Sequence, residues 1–188
     1  MTQQRLDQFD GSRFDRGRSR LVEILWAVLQ ESLFATGLPG SRWRAGLLRM
    51  FGAEVGAGVV IKPRVRVKFP WRLHVGDHSW IGEAAWIDNL AEIRIGSHTC
   101  ISQGVYLCTG NHDWSVAGFD LRVAPILIGS GCWVGAFCLV APGSRITDGS
   151  VLSLGVAWSG ASEENTIYGR EGSKMSSRWK SGPNADQP

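Results

Sequence analysis

"LHVGDHSWIG" (residues 73–82) recurs twice with changes, as "IRIGSHTCIS" (93–102) and "ILIGSGCWVG" (126–135). In each copy two apolar residues stand two apart, Gly follows the second, and an apolar residue returns six places after it. Outward from these copies the same interval of six runs through Val55, Ile61, Val67 and Leu73. It restarts at Val75, Ile81, Ile87 and Ile93, and again at Ile95, Ile101 and Leu107. A last series is Ile128, Val134, Val140, Ile146 and Leu152. A period of six matches neither the 3.6 of a helix nor the simple alternation of an isolated strand. Such hexapeptides mark a β-helix, a solenoid of short parallel strands whose stacked coils bury one another's apolar face. Small residues at the fifth position (Ser79, Ala85, Thr99, Cys138, Ser144) suit its tight corners.

The intervals between restarts locate an interruption. Val55 to Val75 is 20 residues, Val75 to Ile95 is 20, Ile95 to Ile128 is 33, and Ile128 to Ile146 is 18. Three hexapeptides make one coil, so a single coil carries a surplus of about fifteen residues. The surplus falls at about 108–125 and contains "GNHDWSVAGFD". A solenoid accommodates a loop at a corner without losing its stacking, and loops on rigid scaffolds commonly carry function.

The sequence divides into an arm and helical segment (1–52), the β-helix with its loop (53–168) and a tail (169–188). Residues 1–18 are polar and read as a loose arm. Leu21, Leu25, Val28 and Leu29 recur at helical spacing from Arg20 to Phe34, and 41–52 reads as a second helix with Ser41 as N-cap and Gly52 as its stop. The apolar faces of this pair are expected to cap the solenoid, with weak peripheral membrane contact through the N-terminal helix as the alternative. "LVEILWAVLQESLF" (21–34) is too short and polar to span a bilayer, and no signal-peptide pattern opens the sequence. Cys100, Cys108, Cys132 and Cys138 form no C-x-x-C pair and are expected to be free in a reducing cytoplasm. The net charge of +3 gathers at the two ends. There is no basic–aromatic array, which argues against nucleic-acid binding.

The hexapeptide series, "NHDW" in the loop and "GCWVGAFCLVAPG" after it resemble the hexapeptide-repeat acyltransferases. The likeness is greatest to the O-acetyltransferases of colanic acid and other exopolysaccharide biosynthesis, relatives of the maltose and galactoside acetyltransferases. The resemblance implies an all-β fold, a left-handed parallel β-helix with a short N-terminal helical segment and an extruded active-site loop. It implies a homotrimer with active sites between subunits, acetyl-CoA as donor, a sugar or glycan-precursor hydroxyl as acceptor, and no metal. His112 matches the family's catalytic histidine. A neutral imidazole can take the proton of an attacking hydroxyl while its other nitrogen is held by a carboxylate or a carbonyl. Asp113 and Asp120 both lie within reach in sequence. Asn89, with Asp88 as a weaker candidate, resembles the position that holds the acceptor hydroxyl, and Asn is equally a corner residue. Asp113 and Trp114 complete the acceptor set; Trp114 either packs the loop or faces a sugar ring. On the donor side the resemblance points to Trp133, Gly135, Ala136, Leu154, Gly155 and Arg170, with an amide near Ala136 as oxyanion donor.

The C-terminal end departs from the family. Ser159 and Gly160 replace its Thr-Lys pair, and Arg170, Glu171 and Gly172 follow Gly169 where relatives continue Asn-Pro-Ala. Arg170 or Lys174 would then supply charge to the coenzyme phosphates. Three other readings compete: acetyl transfer to an amino sugar, antibiotic or small metabolite; a non-catalytic trimeric scaffold; and a zinc hydratase of the γ-carbonic anhydrase type. The last needs three converging histidines; His78 and His98 are expected to stack one coil apart.

Overall fold

The computed structural model describes residues 4–169 and 172–178. The chain is a left-handed parallel β-helix with a short helical segment at its N-terminal end. Its first face stacks Glu54–Val55, Leu73–Val75, Ile93–Ile95, Ile126–Ile128 and Arg145–Ile146. The second stacks Val60–Ile61, Trp80–Ile81, Cys100–Ile101, Trp133–Val134, Val151–Leu152 and Thr166–Tyr168. The third stacks Arg66–Val67, Trp86–Asp88, Tyr106–Cys108, Leu139–Val140 and Ala157–Trp158.

The restart residues are stacked neighbours, with Val55 on Val75, Val75 on Ile95, Ile95 on Ile128 and Ile128 on Ile146. The hexapeptide positions thus form three inward columns, and burying each Val, Ile or Leu contributes about 1.5–3 kcal/mol. The fifth-position residues Ser79, Ala85, Thr99, Cys138 and Ser144 are all buried. The corner hydroxyls do more than fit. Ser79 Oγ donates to Gly96 O (2.7 Å) and accepts from Thr99 N (3.0 Å), while Thr99 Oγ1 donates to Gly129 O (2.7 Å) and accepts from Cys132 N (3.1 Å). Each coil is therefore tied to the next at a corner where no strand ladder runs.

A solenoid needs its exposed end covered, because the terminal strands leave unpaired backbone groups. Helix α1 (Arg20–Leu29) runs on through a π-helical turn, Gln30–Phe34, and α2 spans Arg42–Met50. Trp26 Nε1 donates to Val67 O (2.7 Å) and Gln30 Oε1 accepts from Val67 N (2.7 Å), satisfying the outer edge of the third face. Ser41 holds the N-cap position of α2, its carbonyl accepting from Ala45 N (3.0 Å), but its side chain makes no capping bond. Its hydroxyl accepts from Ile61 N (2.6 Å) and donates to Val59 O (3.1 Å), closing the edge of the second face instead. Trp26, Phe34, Ala45 and Leu48 join the core. The stripe chosen by helical spacing faces the other way: Leu21, Leu25 and Val28 are more than half exposed. The period was legible and the face was not, because the bulkier Trp26 and Phe34 have hydrogen-bonding and packing partners on the solenoid.

The arm also departs from expectation. It forms two 3-10 turns, Leu6–Gln8 and Gly11–Arg13, and lies against the solenoid. Trp71 Nε1 donates to Arg16 O (2.8 Å), Arg72 Nη2 to Asp15 O (2.5 Å), and Phe14 stacks on Phe69 at 6.2 Å. At the far end Lys174–Ser177 pairs antiparallel with Thr166–Tyr168. Among the described residues no helix is long and apolar enough to cross a membrane. The four cysteines are free.

Candidate active site

The surplus residues leave the solenoid between the third and first faces. They form a hairpin in which Gly110–His112 pairs with Leu121–Val123. His112 Nδ1 lies 2.7 Å from Phe119 O. A carbonyl only accepts, so Nδ1 carries the hydrogen and Nε2 keeps a lone pair for a proton. Phe119, at φ +50°, stacks flat on the imidazole (4.3 Å, 4°), and Phe9 of the arm meets it edge-on at 5.5 Å. The group that orients His112 is thus a backbone carbonyl and neither aspartate.

Both aspartates brace the loop. Asp120 O accepts from Asp113 N (2.8 Å). The Asp113 carboxylate, read from the sequence as an acceptor contact, is occupied by Ser115 N (3.0 Å), Ser115 Oγ (2.5 Å) and the Arg122 guanidinium. The Ser115 hydrogen bonds, aided by Arg122, hold that carboxyl below the usual range. Trp114 stands 76% exposed beside it.

Of the two roles open to Asn89, its bonds describe the corner one. It is fully buried, Oδ1 accepting from Phe69 N (2.9 Å) and Nδ2 donating to Phe69 O (2.7 Å). Its amide joins two coils from a fully buried position. Asp88 accepts from Tyr106 Oη (2.9 Å), lies 3.8 Å from Lys68 Nζ, and leaves Oδ1 buried without a hydrogen bond. Burial first, then Cys108 and Asp88, push the Tyr106 hydroxyl far above its ordinary value. Trp86 stacks on Tyr106 at 4.8 Å. The sequence reading did not pick out Lys68, Trp86 and Tyr106; their outward positions one coil apart on the third face were the available signal.

The donor-side residues gather at another corner, between the second and third faces. Trp133 is 51% exposed, its Nε1 donating to Ser102 Oγ (2.9 Å). Ala136 and Leu154 occupy equivalent corner positions in successive coils, joined by Gly155 N donating to Ala136 O (2.8 Å). Among the described residues the N–H groups of Ala136 and Leu154 are seen to bond to nothing within the chain. Gly135 is required by close approach: a Cβ there would stand 2.7 Å from Leu152 O. Gly155 has φ +71° and open space around it. Arg170 lies outside the described residues. Lys174, the alternative source of charge, is paired with Glu163 (2.5 Å).

The fold therefore gathers His112, Asp113 and Trp114 at one edge and Trp133, Gly135, Ala136, Leu154 and Gly155 at another. The third face separates them, with roughly 10 Å of strand. His78 and His98 stack at 5.2 Å, and among the described residues no group of three His, Cys, Asp or Glu converges as a metal site would require.

No protein-family model matches the chain. It is 43% identical over 150 residues to WcaF of Escherichia coli (strain K12), named as a colanic acid biosynthesis acetyltransferase, covering 79% of this chain and 82% of that one. A hexapeptide-repeat acetyltransferase of Vibrio cholerae, solved with acetyl coenzyme A, superposes with TM-score 0.78 at 21% identity, covering 91% and 96% of the two chains. A maltose O-acetyltransferase of Clostridium difficile 630 gives 0.74 at 20% identity, over 85% and 89%. With hexapeptide columns, an extruded histidine hairpin and this identity to WcaF, the chain belongs to the hexapeptide-repeat acetyltransferases.

Proposed function

We propose that the chain moves an acetyl group from acetyl-CoA to a hydroxyl of a sugar or polysaccharide precursor, with His112 as general base. The observation that carries this is the Nδ1–H bond from His112 to Phe119 O, which fixes the tautomer and leaves Nε2 as acceptor. Nε2 takes the hydroxyl proton as the oxygen attacks the thioester carbonyl, and the thiolate leaves. The N–H groups of Ala136 and Leu154 suit the pantetheine arm or the oxyanion, and the exposed Trp133 face suits the wall beside them. The sugar acceptor rests on kinship with WcaF, named for an exopolysaccharide pathway.

The base and the donor corner sit on different edges of one prism. A complete site then needs the hairpin of one copy against the corner of the next, which supports a homotrimer with sites between subunits. A cytoplasmic location, where acetyl-CoA is available, belongs to the same reading.

Thiol release from acetyl-CoA, measured against sugars, nucleotide sugars and amino sugars, tests the activity and its acceptor class. His112→Ala should lower kcat about 10²–10⁴-fold with an unchanged circular dichroism spectrum. Turnover only with amine acceptors would replace the hydroxyl reading. Equal turnover by wild type and His112→Ala would remove the base.

A further inference from the structure

We propose that helix α1 docks the protein on an anionic lipid surface through the apolar stripe it turns away from the solenoid. The inference goes beyond the acyl-transfer reading and does not depend on it. It begins from the two sides of one helix. A surface helix of a globular protein has one apolar stripe and turns it to the core. α1 does so through Trp26, which is buried against the edge of the third face. At 3.6 residues per turn, Leu21, Ile24, Leu25 and Val28 fall together within an arc of about 100° on the side away from Trp26. All four are more than half exposed. Large aliphatic side chains gathered on one exposed face mark an interaction surface, unlike the scattered apolar residues of an ordinary exterior.

Charge identifies what covers the stripe. Arg20 borders it and Arg18 stands just before the helix. Both are exposed, and among the described residues neither makes a side-chain hydrogen bond or ion pair. Arg42, at the start of α2, is in the same condition. The acids of the two cap helices are neutralised within the chain, Glu23 by Arg16 (2.6 Å) and Glu31 by Arg66. The cap therefore sets an apolar stripe beside uncompensated positive charge. A second copy placed against this face would bring the same arginines and no free acid to meet them. An anionic bilayer answers both features, with acyl chains beneath a layer of negative headgroups. The stripe holds about fifteen side-chain carbons, close to one myristoyl chain, whose membrane binding alone is marginal and reversible. The arginines then decide which membrane is bound. With ten residues α1 is too short to cross a bilayer, so it lies along the surface.

The test uses the full chain and vesicles of equal parts phosphatidylglycerol and phosphatidylcholine, with phosphatidylcholine alone as control. Wild type should sediment with the anionic vesicles, far less with the neutral ones, and be released by raised salt. Ile24→Ser with Leu25→Ser should weaken that binding more than about a hundredfold, the worth of two buried aliphatic side chains. Arg18→Gln with Arg20→Gln should weaken it about fivefold for each charge. Thiol release with a soluble sugar should match wild type in both variants, since these residues lie outside the hairpin and the donor corner. Circular dichroism checks folding, and Leu21→Ser with Val28→Ser replaces the first pair if it does not fold. Light scattering gives the molar mass. Wild type that ignores anionic vesicles, or a folded serine variant that binds them as well as wild type, overturns the membrane face. Equal binding of wild type to both kinds of vesicle overturns the anionic surface. A serine variant of lower molar mass, with no vesicle binding by wild type, overturns the proposal in favour of contact between copies. A wild type that binds the vesicles as expected and releases no thiol supports the membrane face and removes the acyl-transfer reading.

Discussion

Two corners of this prism are built by opposite rules. Between the second and third faces every coil turns in the same way, so Glu83, Gln103, Ala136 and Leu154 occupy equivalent places. That corner is specified by stacking: at Gly82 and Gly135 the backbone of the neighbouring coil stands where a Cβ would go, while Ser102 and Ser153 hold the equivalent places in the other coils. Between the third and first faces one coil departs: Thr109 is still tied to Asp88 and Ala91 of the neighbouring coil, and beyond it Gly110–His112 and Leu121–Val123 pair only with each other. That corner is specified by individual contacts, from Phe119 O on His112, from Ser115 and Arg122 on Asp113, and from the arm. Repetition gives a rigid edge suited to a long, extended donor. The exception gives a place where one imidazole can be aimed.

The largest effect expected from this division is on activity. If the exceptional corner of one copy works with the regular corner of another, His112→Ala and Ala136→Trp disable different halves of each site. Co-expressed, the two inactive chains should regain about a quarter of wild-type activity, the share of interfaces in a random trimer that combine both intact halves. Thiol release by the purified mixture is the measurement. Activity that stays at the level of either variant alone would place both halves in one chain.

Stability should separate the corners next. A Cβ on Gly82 would meet Gln103 N and the Ser102 carbonyl carbon at 2.4 Å, backbone that cannot yield without parting two coils. Gly82→Ala should cost roughly 3 kcal/mol, at the upper end of overpacking. A Cβ on Gly110 would meet the end of the Leu90 side chain at 2.6 Å, which can turn aside. Gly110→Ala should cost about 1 kcal/mol or less. Urea midpoints decide this, and equal losses would mean that the hairpin base is as rigid as the stack.

Asn89→Ala follows. It leaves the N–H and C=O of Phe69 without partners in the interior, about 2–3 kcal/mol for the two groups. Melting temperature should fall while acceptor KM stays constant among molecules that remain folded. A raised KM with unchanged stability would return Asn89 to the acceptor site.

These cases show what the sequence could carry. The coil registers follow from a period of six, because a buried column imposes itself at every turn. The hairpin was visible as an excess over the coil length, and His112 as the one histidine inside it. The sequence did not show which carbonyl holds the imidazole, because a single backbone contact leaves no pattern. It also did not show that the arm is ordered. Phe9, Phe14, Trp71 and Phe69 are scattered in a polar stretch and a corner, and only the fold brings them together. Asn89 misled because a corner amide has the same composition whether it meets a sugar or a neighbouring coil.

The smallest effect concerns pH and belongs to the exceptional corner alone. The Asp113 carboxyl is held below its ordinary value, chiefly by Ser115, with help from Arg122. A depressed carboxylate contributes its stabilisation above the unfolded pKa and loses it as pH falls through the folded one. Hairpin order should therefore persist from neutrality down through the ordinary carboxylate range of about 4 and yield only below it. The exposed Trp114 reports this by its fluorescence. Removing the Ser115 hydroxyl (Ser115→Ala) takes away the leading cause, so the acid midpoint should move upward, toward that ordinary value. The stacked coils, held by continuous backbone ladders and a buried apolar column, should keep their circular dichroism over the same interval. An acid midpoint identical in wild type and Ser115→Ala would show that Ser115 does not hold the loop, leaving Arg122 and the arm to do so.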